Sequence, residues 1–129
     1  INDKQMISWI ELNGNVNEII ELVEPFHYDK SDNKYTWSDL GLYFVEKINN
    51  GDKIEMLNKL IETIYPSSWD ETLPDLLRKR VSLLDELITY IKTDFRDEVI
   101  MEKSRLLQKI DIEEERFSVE RRNMFNSFE

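Results

Sequence analysis

Apolar side chains recur three and four positions apart along most of this chain, the spacing that gathers them on one face of an α-helix. Gly14, Gly51, Pro25, Pro66 and Pro74 cut the pattern into segments, because glycine tends to end helices and proline cannot continue them. Residues 3–12 carry Met6, Ile7 and Ile10 on one face, and Asn13-Gly14 can close that helix with a left-handed residue. Asn15 and Glu18 have capping-box spacing, which predicts a second helix over 16–24 with Val16, Ile19, Ile20 and Val23 as its stripe and Pro25 as its stop.

Residues 26–37 break the helical period. Phe-His-Tyr and Lys-Tyr-Thr-Trp flank the polar cluster 29–33, which is the composition of a short β-hairpin. A helix capped by Thr36 or Ser38 follows, with Trp37, Leu40, Phe44 and Ile48 inward as far as Gly51. Asp52 and Glu55 repeat the capping-box spacing ahead of Ile54, Leu57, Leu60, Ile61 and Ile64. After the loop 67–73, Thr72 can cap a helix with Pro74 in its first turn, where a missing N–H costs nothing. Its stripe of Leu73, Leu76, Leu77, Val81, Leu84, Leu87, Ile88 and Ile91 is the clearest in the chain and predicts a central core helix.

From residue 94 onward no proline or glycine intervenes, and Phe95, Val99, Leu106, Ile110, Phe117, Met124 and Phe128 form a narrow seam on one long helix. Lys103, Glu113 and Glu120 interrupt the seam, so it predicts packing against the body or a partner rather than a self-sufficient coiled coil. The fold expected is all-α: a helical body over 1–92 with a hairpin at 26–37, and a C-terminal helical extension over 93–129.

Charge and composition narrow the chemistry. The chain carries 27 acidic against 17 basic side chains, a formal net charge of -10, and it contains no cysteine, which removes thiolate, CxxC and cysteine-zinc chemistry. Its uninterrupted apolar runs, such as Leu42 to Val45, are far shorter than the ~20 residues a bilayer span needs, so no membrane association and a cytoplasmic location are expected. Residue 1 is Ile, and the chain reads as a fragment, a processed product or a domain of something larger. His27 is the lone histidine and lies in no catalytic or EF-hand pattern, although Asp29 and Asp32 are close to it in sequence. The three glycines are too far apart to cradle a phosphate. Glu113-Glu114-Glu115 and Asp97-Glu98 read as solvated helix faces, and no cofactor, metal or catalytic set is expected.

Tyr35-Thr36-Trp37-Ser38-Asp39-Leu40-Gly41 followed by a helix resembles the junction in winged helix-turn-helix domains where the second wing strand enters the next helix, a motif often written Tyr-x-Leu-Thr-x-x-Gly. Trp37 and Ser38 stand where Leu-Thr would be. Residues 6–22 are similar to the first helix, turn and second helix of such domains, so the resemblance covers about residues 5–50. It implies a DNA-binding regulator that dimerises through its C-terminal helix. Two features depart from the pattern: Pro25 leaves no room for a separate recognition helix, and residues 16–24 carry Glu18, Glu21 and Glu24 with no Lys or Arg to meet phosphates.

The acid surplus therefore favours a non-enzymatic protein–protein interaction or regulatory module, part of a larger protein or assembly. Besides the DNA-binding regulator, the charge also admits an acidic inhibitor that mimics nucleic acid. The expected partner is another protein or a second copy of the chain, reached through the C-terminal helix, and nucleic acid is disfavoured. Candidate partner-binding residues are Trp69 in the loop and Phe117, Arg121, Arg122, Met124, Phe125 and Phe128 near the end, because aromatic, Met and Arg side chains are what interfaces favour.

Overall fold

The computed structural model describes residues 2–14, 16–51, 53–66 and 73–126, and of residues 13, 17, 120, 121 and 123–126 the backbone alone. In chain order come α1 (Asp3–Asn13), α2 (Val16–Ile19), β1 (Phe26–Asp29), β2 (Lys34–Trp37), α3 (Asp39–Gly51), α4 (Ile54–Glu62), α5 (Leu73–Tyr90) and α6 (Thr93–Asn126). Among the described residues the chain is thus a helical body with one small hairpin and a long C-terminal helix, as the periodicity predicts.

Local chemistry explains most of the boundaries. Asn2 starts α1 with a capping box: its side chain accepts the Gln5 N–H at 2.8 Å, and the Gln5 side chain accepts the Asn2 N–H at 3.1 Å. Gly14, at φ 71°, ends the helix and returns its N–H to the Ile10 carbonyl at 2.8 Å. The predicted caps Asn15, Asp52 and Thr72 lie outside the described residues. The expected helix over 16–24 is shorter than predicted, since α2 stops at Ile19 and the Leu22 N–H bonds back to the Ile19 carbonyl at 2.9 Å. Tertiary demand outweighs helix propensity here: Ile20 is fully buried, Leu22 is 81% exposed, and the chain must straighten to bring Phe26 into the core at the start of β1.

The hairpin pairs Phe26 with Trp37 and Asp29 with Lys34. Its four-residue connection turns at Asn33, which adopts φ 53°, a left-handed conformation that Asn tolerates, and the Asp29 side chain accepts the Ser31 N–H at 2.9 Å. Tyr28 closes the turn by donating its hydroxyl proton to the Asn33 side chain. On the inner side Phe26 stands edge-on to both Tyr35 and Trp37, with centroids 5.5 and 5.9 Å apart.

Helix α5 holds this hairpin through polar contacts as well as packing. The Trp37 indole N–H donates to the Leu83 carbonyl at 2.7 Å, and Ser82 Oγ donates to the Tyr35 carbonyl at 2.5 Å. Glu86 accepts the Thr36 hydroxyl at 2.6 Å and the Trp37 N–H at 3.2 Å. At the entry to α3, the Pro25 carbonyl accepts both the backbone N–H and the hydroxyl of Ser38, each at 3.0 Å. The Asp3 carboxylate of α1 accepts the Leu40 N–H at 3.2 Å in the first turn of α3, where a helix favours negative charge.

One core joins all these elements. It runs from Ile10 and Ile20 through Phe44, Ile48, Leu57 and Leu60 to Leu77, Leu84, Leu87, Val99, Leu106 and Ile110. On α4 the inward face includes Met56, 1% exposed, which the predicted stripe left out, whereas Ile54, which the stripe included, is 39% exposed. On α5 both Leu83 and Leu84 are fully buried while Leu76 is only half-buried, because the helix is covered by β2 on one side and α6 on another.

Gly41 is fixed by close approach rather than by backbone conformation. A Cβ there would lie 2.3 Å from the Pro25 carbonyl oxygen and 2.9 Å from the Trp37 ring. Gly41→Ala is expected to lose roughly 1 to 3 kcal/mol by forcing the chain at Pro25 off α3. Urea denaturation would measure the loss, and a loss under about 0.5 kcal/mol would mean that this junction yields freely.

Candidate interaction surface

Arg80 sits where the hairpin, α5 and the end of α4 meet. The side chain is 9% exposed, its guanidinium carbon lies 5.0 Å from the ring centroids of both Phe26 and Tyr35, and it donates to the Ile64 carbonyl at 2.7 Å. Glu24 approaches it at 3.6 Å. Arg80 closes the triplet Arg78-Lys79-Arg80 in the sequence, yet its side chain lies inside the fold.

Helix α6 lies antiparallel to α5, joined by ion pairs between Asp85 and Lys103 at 2.6 Å and between Arg78 and Glu114, whose Nε hydrogen bond is 2.8 Å long. That carboxylate holds the Arg78 guanidinium pKa above its usual value. Continuing the register places Leu73, the first residue of α5, beside residue ~117, so about the last two turns of α6 run past the end of α5. The Glu102/Arg105 and Glu113/Arg116 pairs also form, at 3.2 and 3.6 Å. Glu113 departs from its expected solvated position: it is 7% exposed, because it falls on the covered face one turn beyond Ile110.

Tyr65, after α4, donates its hydroxyl to Glu102 Oε1 at 2.7 Å and so ties α4 to α6. Burial, reinforced by the hydrogen bond to the Glu102 carboxylate, pushes the phenol pKa well above 10.

The candidate residues fall into three groups. Phe117 is half-buried, with the Arg116 guanidinium 5.9 Å from its ring centroid, and Arg122 is exposed. The backbones of Arg121, Met124 and Phe125 continue α6. Trp69 and Phe128 lie outside the described residues. Periodicity overlooked a second set on the same helix, namely Ile100, Met101, Leu107, Ile112 and Val119, each 41 to 60% exposed. They were legible only by asking which apolar side chains the core-facing seam leaves over.

The surface depressions on the molecule are open and mixed in character. One of about 550 Å³ is lined by Glu21, Glu24, Lys59, Glu62 and Tyr65, and one of about 480 Å³ lies along α6 between Ile100, Met101 and Asp111. Among the described residues no group of three or more His, Asp or Glu side chains is placed to hold a metal ion, and no helix is long and apolar enough to cross a membrane. Compared with known protein families, curated proteins and solved structures, the chain shows no match.

The Tyr65–Glu102 contact makes stability depend on alkaline pH in a definite direction. The folded-state pKa lies above the unfolded value of about 10, so the contribution is fully present below pH ~10 and is lost as pH rises further. Absorbance titration should show one phenol ionising after the others and together with unfolding. Tyr65→Phe should remove that late phase and flatten the fall in melting temperature above pH ~10. A Tyr65 that titrates with the exposed phenols would contradict the assignment.

Proposed function

We propose that this chain is a non-enzymatic protein–protein interaction module, part of a larger protein or assembly, which meets its partner through α6. The observation that supports this reading is the division of α6 into two faces. Val99, Leu106 and Ile110 are buried in the core, while Met101, Ile112 and Val119 are 50, 60 and 41% exposed on the same helix. A helix that served only to close the core would need no large apolar side chains on its outer side. The distal turns add Arg122, with Phe117 half-buried beside the first turn of α5.

Removing residues 118–129 should lower the melting temperature by no more than about 2 to 4 °C, because Val99, Leu106, Ile110 and the Arg78–Glu114 pair all remain. The same truncation should abolish self-association, read by sedimentation velocity, or partner capture. A large loss of thermal stability with unchanged sedimentation and unchanged co-purifying proteins would make the segment a core element and remove the basis of this reading.

Duplex DNA is not the partner in this proposal. Glu18, Glu21 and Glu24 are all exposed at the place where a phosphate-facing surface would need cations, and the chain carries a net charge of -10. A mobility-shift assay at physiological salt should show no complex at up to about 10 µM protein, well above the range of specific DNA binding. Sub-micromolar, salt-sensitive binding would favour the winged-helix regulator instead.

A further inference from the structure

The contacts that anchor α6 to the body occupy one side of it. Successive residues turn by 100°, which puts Val99, Leu106, Ile110 and Glu113 on one arc, flanked by Glu102 facing Tyr65 on one edge and by Lys103 and Glu114 facing α5 on the other. The opposite side carries a second stripe with alternating spacings of three and four: Glu98, Met101, Arg105, Gln108, Ile112, Glu115, Val119 and Arg122. All eight side chains are exposed. Such spacing is that of a coiled-coil seam, although only three of the eight are apolar.

The order of charges along this stripe selects its occupant. Read from both ends toward the middle it is self-complementary: Glu98 matches Arg122, Met101 matches Val119, Arg105 matches Glu115, and Gln108 matches Ile112. Each match is centred on residue 110. We propose that a second copy of this chain docks here, with the two α6 helices antiparallel about a two-fold axis at the level of residue 110, between Gln108 and Ile112. In that arrangement the two copies form four Arg–Glu pairs and two Met–Val contacts.

A parallel pair would set Glu98, Arg105, Glu115 and Arg122 each against its own copy, so all four charged layers would repel. The bodies do not collide in the antiparallel form, because each lies on the far side of its own α6. This surface deepens the proposed interaction function and rests on that reading. A seam this short, with a polar residue in most layers, lies at the weak end of specific interfaces. Near the axis Asp111 also approaches its own copy along one edge and Lys109 along the other, which limits affinity further.

Sedimentation equilibrium of the full chain over about 10 to 300 µM, the range suited to a weak complex, should show a monomer of 15.6 kDa passing to a dimer. Arg105→Glu and Glu115→Arg should each weaken it at least ~10-fold, the double exchange should restore it to within ~3-fold, and Asp111→Asn should tighten it. All these positions are exposed, and unchanged melting temperatures would show that the body is intact. Because the chain has no cysteine, Asp97→Cys gives a single spin-label site. The antiparallel dimer predicts labels about 40 Å apart, and a parallel one predicts about 10 Å.

A full chain that stays monomeric, a short label distance, or an exchange that fails to restore binding would each overturn the antiparallel seam. If association persists, requires residues 118–129 and ignores the charge exchange, the seam is wrong and the broader interaction reading stands.

Discussion

The burial of Arg80 is the constraint around which the body is arranged. A guanidinium cannot lose its charge, so its place in the core must be provided with acceptors and with faces that tolerate a cation. The Ile64 carbonyl supplies a direct hydrogen bond, Glu24 an approaching carboxylate, and the rings of Phe26 and Tyr35 lie 5.0 Å away. These groups come from the end of α4, the segment before β1, and both strands. Their convergence fixes the hairpin on α5 and makes the early unwinding of α2 intelligible, since a helix continued through residue 24 would not deliver Glu24 and Phe26 to the same place.

With the hairpin fixed on one side, α5 has another side for α6. This is why Leu83 joins Leu84 in the core. A helix with one neighbour buries a single stripe, whereas one with two neighbours buries a wide arc. The Trp37 indole and the Glu86 carboxylate then act as polar fasteners at the strand side, and Lys103 and Glu114 do the same at the α6 side. At the strand side these contacts satisfy groups that burial would otherwise penalise, whereas the α6 pairs remain partly solvent-exposed.

Much of the fold was legible because glycine and proline mark its boundaries. Gly14, Pro25 and Gly51 stand at or beside element ends, and the polar cluster 29–33 supplies the last residue of β1 and the hairpin loop 30–33. What periodicity could not give depends on neighbours that no local pattern encodes. Arg80 and Glu113 carry charges and so read as surface, yet one is enclosed by two rings and the other continues the buried face past Ile110. Of the candidate surface, the distal Phe117 and Arg122 were visible as aromatic and basic residues on a polar helix. Met101, Ile112 and Val119 were not, because they fall outside the single core-facing register that the spacing of Val99, Leu106 and Ile110 defines.

A helix of 34 residues is roughly 50 Å long, about twice the length of the 18-residue α5 that supports it. Its two faces are under different requirements. The inner face can be wholly apolar where α5 covers it. A wholly apolar outer face would associate without orientation or register in any chain that carried it. In the proposed dimer, Arg105 and Glu115 set between Met101, Ile112 and Val119 would weaken each contact but allow only one alignment to pair every charge, so the same polar positions that lower affinity would also set specificity. The polarity of α6 that makes it a poor isolated helix is therefore what would suit it to the reversible and directional contact proposed for it.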